Sequence, residues 1–346
     1  MARGVKMKWF KKGRWRLSSS LVFQLIETFW GGEGEDLPHS GEKSSSPRSL
    51  RGKRTLARWK ESAIKTFFFA NGVLAIIVLI GIFGILLYTA FPAFKEIPLA
   101  EFAKKTWDPT SPEKAQYGLL SMIVSTLMCT AGALLVAIPL GLGVAAYLSD
   151  VAHWRVREIV KPIVEILAGI PSVVTGFLGI VLFGPVIAKI FHTGHGLNAV
   201  NGSFLLAIMA LPTIISISED SLNAVPSAYT EASLALGASR WQTLARVKVP
   251  AALSGIIASF MLGMGRAIGE TMTVLMATGN ARSFPHGFLE SVRTMTANIA
   301  IELGEVPYYT THYYALFAIG LVLFVMTFIV NLIADVILNK YQQREL

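Results

Sequence analysis

Long apolar runs separated by short polar segments order this chain. Six runs approach the length that a helix needs to cross a bilayer, about 20 residues. They fall at 67–91, 118–148, 162–191, 202–218, 251–279 and 313–337. The fourth is short, and its end can extend into the polar loop that follows it. The pattern predicts an all-α membrane protein with six transmembrane helices. It divides the chain into a basic amino-terminal tail (1–65), a first span with its external loop (66–116), a transmembrane domain (117–338) and a short carboxy-terminal tail (339–346).

Composition agrees with this division. The 346 residues are 53% hydrophobic and 15% charged, whereas soluble domains average about 25% charged. The single cysteine, Cys129, lies inside an apolar run, which excludes a disulfide framework or a Cys-based metal site within the chain. A net charge of +9 suggests nucleic acid at first sight, but much of it stands before residue 66, beside the first span. That placement fits anionic lipid and the positive-inside bias instead, and no nucleic-acid partner is expected. Lys and Arg also collect after the second, fourth and sixth spans, as in Arg155, Arg157 and Lys161, then Arg240, Arg246 and Lys248, then Lys340 and Arg344. The bias puts both termini in the cytoplasm, as an even number of spans requires.

The tail reads in two parts. Residues 31–55, rich in Gly, Ser and charge, are expected to be disordered. Residues 8–30 mix Trp9, Phe10, Trp15 and Trp30 with basic residues, which suits a helix lying on the membrane surface. A cleaved signal peptide and a dispensable tail are the competing readings.

Two segments carry candidate chemistry. The first is the loop at 219–250. Residues 224–236 suit a short helix, Gly237 suits a left-handed stop, and Arg240-Trp241 opens a second helix that ends at Pro250. Such a helix–Gly–helix element can fill a groove on a soluble partner. Glu231 also has a structural role open to it, because an acid early in a helix favours the dipole.

The second segment is the fifth run, which holds Arg266 and Glu270. Four residues apart on one helix, they share a face and can pair. A central Arg costs about 2.5–3.5 kcal/mol on insertion scales, so it should face the bundle or a water-filled path. Its guanidinium donates a planar fork of hydrogen bonds suited to an oxyanion. A structural ion pair that locks two helices explains the same residues. Gly265 and Gly269, with Gly255 and Gly263, form a small surface whose expected role is helix packing. Thr271, Thr273 and Ser259 can bond an anion or bond back to helix carbonyls. Ile170-Pro171-Ser172 should bend or interrupt the third span, and a broken helix exposes N–H groups that can receive an anion. His192 and His195 have no acid or Cys nearby and read as loop residues, and the sequon at Asn201-Gly202-Ser203 borders a span and is discounted. No Gly-x-x-x-x-Gly-Lys-Ser/Thr, His-Glu-x-x-His or Gly-x-Ser-x-Gly occurs, so neither P-loop ATP hydrolysis nor other catalysis is supported.

The order Glu231-Ala232-Ser233, Gly237, Val249-Pro250 resembles the coupling loop of permease subunits of ABC importers. That family often has Ala at the place of Ser233 and Leu at the place of Val249. Ala168-Gly169-Ile170-Pro171-Ser172-Val173-Val174 and Leu211-Pro212-Thr213-Ile214 are similar to segments of the phosphate-specific importers. Gly265-Arg266-Ala267-Ile268-Gly269-Glu270-Thr271-Met272, followed by Gly279-Asn280, resembles the PstC type of phosphate permease. The resemblance covers about 66–340 and leaves out the tail. It implies the type I ABC importer permease architecture with a cytoplasmic coupling helix, in a bacterial inner membrane. It implies Arg266, Glu270 and Thr271 along the substrate pathway, and Glu231, Ala232, Gly237, Arg240 and Trp241 in ATPase coupling. It further implies a sister permease of PstA type, a cytosolic ATPase dimer of PstB type that uses the ATP, and an extracytoplasmic phosphate-binding protein. No cofactor is expected on this chain itself. A permease for another oxyanion, such as molybdate or sulfate, and a membrane signalling or scaffold protein are the alternatives.

Overall fold

The computed structural model describes residues 48–342. The expected surface helix at 8–30, the competing signal peptide and most of the expected disordered stretch lie outside them. Residues 48–55, assigned to that stretch, are instead the start of a helix, α1 (Arg48–Glu96). Contacts divide the chain into two units, residues 1–70 and 71–346. In the first unit the described residues are helical, and Phe67, Phe68 and Phe69 are each more than 60% exposed. Aromatic side chains so placed in an apolar helix suit contact with lipid.

The second unit is a helical bundle. After α1 come a one-turn α2 (Leu99–Phe102) and a two-residue hairpin of β1 (Trp107–Asp108) and β2 (Gln116–Tyr117), paired antiparallel with Trp107 opposite Tyr117. Then follow α3 (Leu120–Val151), α4 (Trp154–Ala168), α5 (Ser172–Phe191) and α6 (Ala199–Asn223). The polar loop forms α7 (Ser227–Ala235) and α8 (Arg240–Ala251), and α9 (Leu253–Gly269) and α10 (Met272–Ala277) carry the fifth apolar run. The chain closes with α11 (Met295–Glu302) and α12 (Thr311–Gln342). Among the described residues five helices are long and apolar enough to cross a membrane, at Ile64–Glu96, Leu120–Val151, Ser172–Phe191, Ala199–Asn223 and Thr311–Val336. A sixth is reached when the bent pair of α8 and α9, with 71° between its halves, is counted as one broken span.

Small residues let α3 and α6 approach closely. Cys129, Ala133 and Ala137 of α3 pack on Leu206, Ala207, Ala210 and Ile214 of α6, all almost fully buried. A Cβ at Gly141 would stand 2.6 Å from Ile214 Cγ2, so only glycine fits there. The fourth span does extend past 218, to Asn223, with Ser218 and Glu219 buried.

The third and fifth runs are the corrections. The third does not begin at 162. Residues 154–168 form the separate helix α4, whose Val160 and Val164 pack near Leu148 and Ile215 while Ile159, Ile163 and Ile166 are exposed. The chain breaks at Gly169-Ile170-Pro171, because Pro171 cannot donate to a helix already begun and disfavours helical backbone before it. The fifth run is not one helix to 279. α9 stops at Gly269, where Glu270 turns extended at φ −68°, ψ 134°. Seventeen residues reach only about 26 Å, short of the roughly 30 Å hydrocarbon layer. The six-residue α10 resumes the helix beyond the break.

Candidate functional site

The two breaks meet. Thr273, in the first turn of α10, places its Oγ1 3.1 Å from the Ser172 carbonyl and 3.1 Å from Thr175 Oγ1, both at the start of α5. The same hydroxyl is 3.3 Å from Glu270 Oε1, which also accepts from the Thr273 backbone N–H at 3.3 Å. Thr175 Oγ1 donates to the Ser172 carbonyl at 2.8 Å, which leaves the single Thr273 proton to be shared among the Ser172 carbonyl, Thr175 and Glu270. Across the break, Thr296 Oγ1 of α11 donates to the Glu270 carbonyl at 2.8 Å. Polar side chains thus hold both interrupted backbones.

This geometry separates Arg266 from Glu270. The sequence places them on one helical face as a pair, but α9 ends before Glu270, whose carboxylate turns to Thr273. Among the described residues Arg266 has no ion pair or hydrogen bond, and it is exposed on α9 with Leu262 and Gly269. Positions 262, 266 and 269 share one face at helical spacing. Gly265 and Gly269 do not pack against this chain, since a Cβ at either would meet nothing within 4 Å. Gly263 and Gly255 do: a Cβ at Gly263 would lie 2.9 Å from Ile214, and one at Gly255 would overlap Ser221. Thr271 Oγ1 reaches back to the Gly269 carbonyl at 3.4 Å, and both residues line an open cavity of about 670 Å³ with Thr296 and Ile299.

The polar loop folds as its spacing suggests. Gly237 has φ +84°, the left-handed region that glycine adopts without strain. Ala238 N–H donates to the Ser233 carbonyl at 3.2 Å and Gly237 N–H to Leu234 at 2.9 Å, the paired bonds of a Schellman stop. Ser239 and Gln242 cap α8 reciprocally. Pro250 lies within α8, one residue before its end rather than at it. α7 buries none of its residues. Glu231, Ala232, Gly237, Arg240 and Trp241 are all exposed, Leu236 by 90% and Trp241 by 71%. Within the loop the Ser233 and Thr243 hydroxyls lie 3.0 Å apart, and the loop meets the bundle through buried Leu244, packed with Ala145, Leu222 and Ile256.

Three polar clusters escape a reading of the sequence. Lys248 Nζ of α8 pairs with Asp150 Oδ1 at the end of α3, 2.6 Å away. Glu219, 1% exposed on α6, takes two hydrogen bonds from the Arg157 guanidinium, at 2.7 and 3.0 Å, with Lys161 3.6 Å off. Glu302 accepts from Trp107 Nε1 at 2.9 Å and from Arg293 Nη1 at 3.1 Å, with His312 Nε2 at 2.9 Å and Arg282 at 3.6 Å. Burial alone would raise the Glu302 carboxyl, but the hydrogen bonds with His312 and Trp107 and the charges of His312 and Arg282 outweigh it and hold it below its usual range. Burial lowers the Arg293 guanidinium, helped by Arg282. The partners are far apart in sequence, 98 residues for Asp150 and Lys248 and 195 for Trp107 and Glu302, so no local spacing announces them. Asn201, the discounted sequon residue, is fully buried and donates to the Gly179 carbonyl at 2.9 Å. His192 and His195 are exposed in the loop before α6.

Apolar spans, two interrupted helices facing each other, an open cation in the last turn of α9 and an exposed knob at one end define the membrane-embedded subunit of a solute transporter. The chain belongs to the family of binding-protein-dependent transport system inner membrane components, whose model matches residues 137–343. The probable ABC transporter permease protein YqgH of Bacillus subtilis is 37% identical over 232 residues, covering 67% of this chain and 75% of that one. The phosphate transport system permease protein PstC of Mesorhizobium japonicum is 32% identical over 296 residues, covering 80% and 89%. A chain of a bacterial ABC transporter involved in the import of the acidic polysaccharide alginate shares the fold with a TM-score of 0.57 at 16% identity, over 82% of this chain and 99% of that one. The all-α, type I importer permease architecture expected from the sequence is therefore the observed fold.

Proposed function

We propose that this chain is one of two permease subunits of an ABC importer that carries inorganic phosphate across the bacterial inner membrane. Relatives named as phosphate transport permeases match most of its length, and the carrying observation is Arg266. An exposed guanidinium in the last turn of the apolar α9, with no partner among the described residues, is an expensive group that a passing oxyanion would satisfy. Thr271 stands next to the break and reaches back to the Gly269 carbonyl. Glu270 adds a negative charge close to the path, held by Thr273 rather than by Arg266, and keeps the anion from binding too tightly to leave. Gly265 and Gly269, open in this chain, suit close approach of the sister subunit, of PstA type.

In this reading the exposed loop of Glu231, Ala232, Gly237, Arg240 and Trp241 docks on a cytosolic ATPase dimer of PstB type, which binds and hydrolyses the ATP. The chain needs no cofactor of its own. An extracytoplasmic binding protein delivers phosphate from the other side, and the Lys and Arg distribution puts both termini in the cytoplasm. Nucleotide biases a two-state bundle through one rigid contact.

Radiolabelled phosphate uptake by the reconstituted complex tests this. Arg266→Gln should lower uptake at least about tenfold, the loss of one charge-assisted hydrogen bond of roughly 1.5–3 kcal/mol, with the complex still assembled. Unchanged uptake would relegate Arg266 to packing. Equal competition by sulfate or molybdate would assign the path to another oxyanion.

A further inference from the structure

The docking loop must hand its motion to the bundle, and the structure offers few places where it can. α7 buries none of its residues, and its side-chain hydrogen bond to the rest of the loop runs from Ser233 to Thr243. Beyond Thr243, α8 meets the bundle in two ways. One is apolar: Leu244 packs with Ala145, Leu222 and Ile256. Contacts of that kind resist separation but have no direction, so the surfaces can slide. The other is the Lys248–Asp150 pair, 2.6 Å apart with side chains 10% and 23% exposed. A hydrogen-bonded ion pair in such a setting fixes relative position as well as proximity.

Both partners stand on widened turns. Asp150 lies in the π turn Tyr147–Val151 that ends α3, where Ala152 N–H reaches the Tyr147 carbonyl at 2.8 Å. Lys248 closes the π turn Leu244–Lys248, one turn before the 71° bend into α9. Helices widen in this way at points of local adjustment, often functional ones. Beside the pair is a cavity of about 220 Å³, lined by Thr230 and Leu234 of α7, Arg240 and Thr243 of α8, and both charged residues. The loop therefore has room to shift relative to α3. The far side of α3 is locked to α6 by small residues and glycines, so a displacement delivered at Asp150 moves both helices together.

We infer that the Lys248–Asp150 pair is the positioning contact that couples movement of the docking loop to the α3–α6 pair. The inference rests on the reading of 231–241 as the ATPase dock.

The assay uses the full complex of permeases, ATPase and binding protein in proteoliposomes, and reads phosphate taken up per ATP hydrolysed together with ATPase retained on purification. Asp150→Asn and Lys248→Met should each lower the uptake-to-hydrolysis ratio about tenfold, within the range of ordinary coupling energies, with the ATPase retained. Lys248→Arg, which keeps the cation, should stay near the wild-type ratio. An unchanged ratio in either neutral variant overturns the inference. So does loss of assembly in both, which would make the pair a folding brace, and so does uncoupling by Lys248→Arg as strong as that by Lys248→Met. Trp241→Glu serves as the separate control for docking. If it releases the ATPase, the dock stands whatever the pair does; if the ATPase stays and coupling is normal, the dock itself fails.

Discussion

The regions on either side of the spans handle polar groups in opposite ways. The loop at 279–294, which meets the start of α6 through hydrogen bonds from Ala199 and Val200, leads into a network centred on a buried acid. There Glu302, 6% exposed, joins the hairpin through Trp107, the loop through Arg282 and Arg293, and the last span through His312. Past the end of α6, the loop at 224–241 does the reverse. Its helices hold their own caps and offer Leu234, Leu236 and Trp241 outward. A buried acid with several donors contributes stability that collapses when one member is removed. An exposed knob contributes little to its own chain and much to a partner. The contrast separates a region that braces the bundle from one that leaves its apolar side chains open.

The strongest way to break that contrast is Glu302→Ala. It removes the carboxylate partner of the mostly buried Arg293 guanidinium, which keeps only neutral acceptors on Asn280 and Asn298, and should destabilise the permease by roughly 3–5 kcal/mol, read as a large fall in the thermal unfolding midpoint in detergent. A change under about 1 kcal/mol would show the network to be ornamental. Because the folded-state carboxyl is held below its usual range, its stabilising effect is full above that range and is lost as pH falls through the lowered value. The gap in unfolding midpoint between wild type and Glu302→Gln should therefore narrow in acid. A gap that widens would reverse the assignment.

Gly263→Leu probes the packing between those ends. With Ile214 at 2.9 Å from where the new Cβ would stand, overpacking should cost about 1–3 kcal/mol in the same assay. Gly265→Ala, with open space around it, should leave the isolated chain unaffected. The smallest effect on stability belongs to the other side of the comparison. Trp241→Ala should move the midpoint by no more than about 0.5 kcal/mol yet reduce retention of the ATPase. A large loss of stability would mean that Trp241 braces its own chain.

Much of this fold was legible because hydrocarbon permits so little variety. Each span has to be a long apolar run, and Gly237 announces the loop's stop since few residues accept its backbone angles. The misreadings share a cause. Ile159, Ile163 and Ile166 look like the start of a span, but Arg157 and Lys161 on the same helix are held by Glu219, a partner 62 residues from Arg157. The break at Glu270 has no proline to mark it. It depends on Thr273, which the sequence offers only as a partner for an anion or a helix carbonyl, and on Thr296, which the local pattern does not single out. Gly265 and Gly269 carry the spacing of a packing motif, yet the chain supplies no helix to pack there. Of the candidate site, residue types and the loop's joint were readable, and long-range pairings were not.

The stop at Gly269 has one more consequence. A helix that ends inside an apolar layer leaves its final carbonyls without the amide donors of a following turn. Oily acyl chains have nothing to offer those oxygens. The Thr271 hydroxyl serves the Gly269 carbonyl, but fatty tails have no donor for the carbonyls beside it, so residues 266–269 call for a polar neighbour, water or protein, in the working assembly.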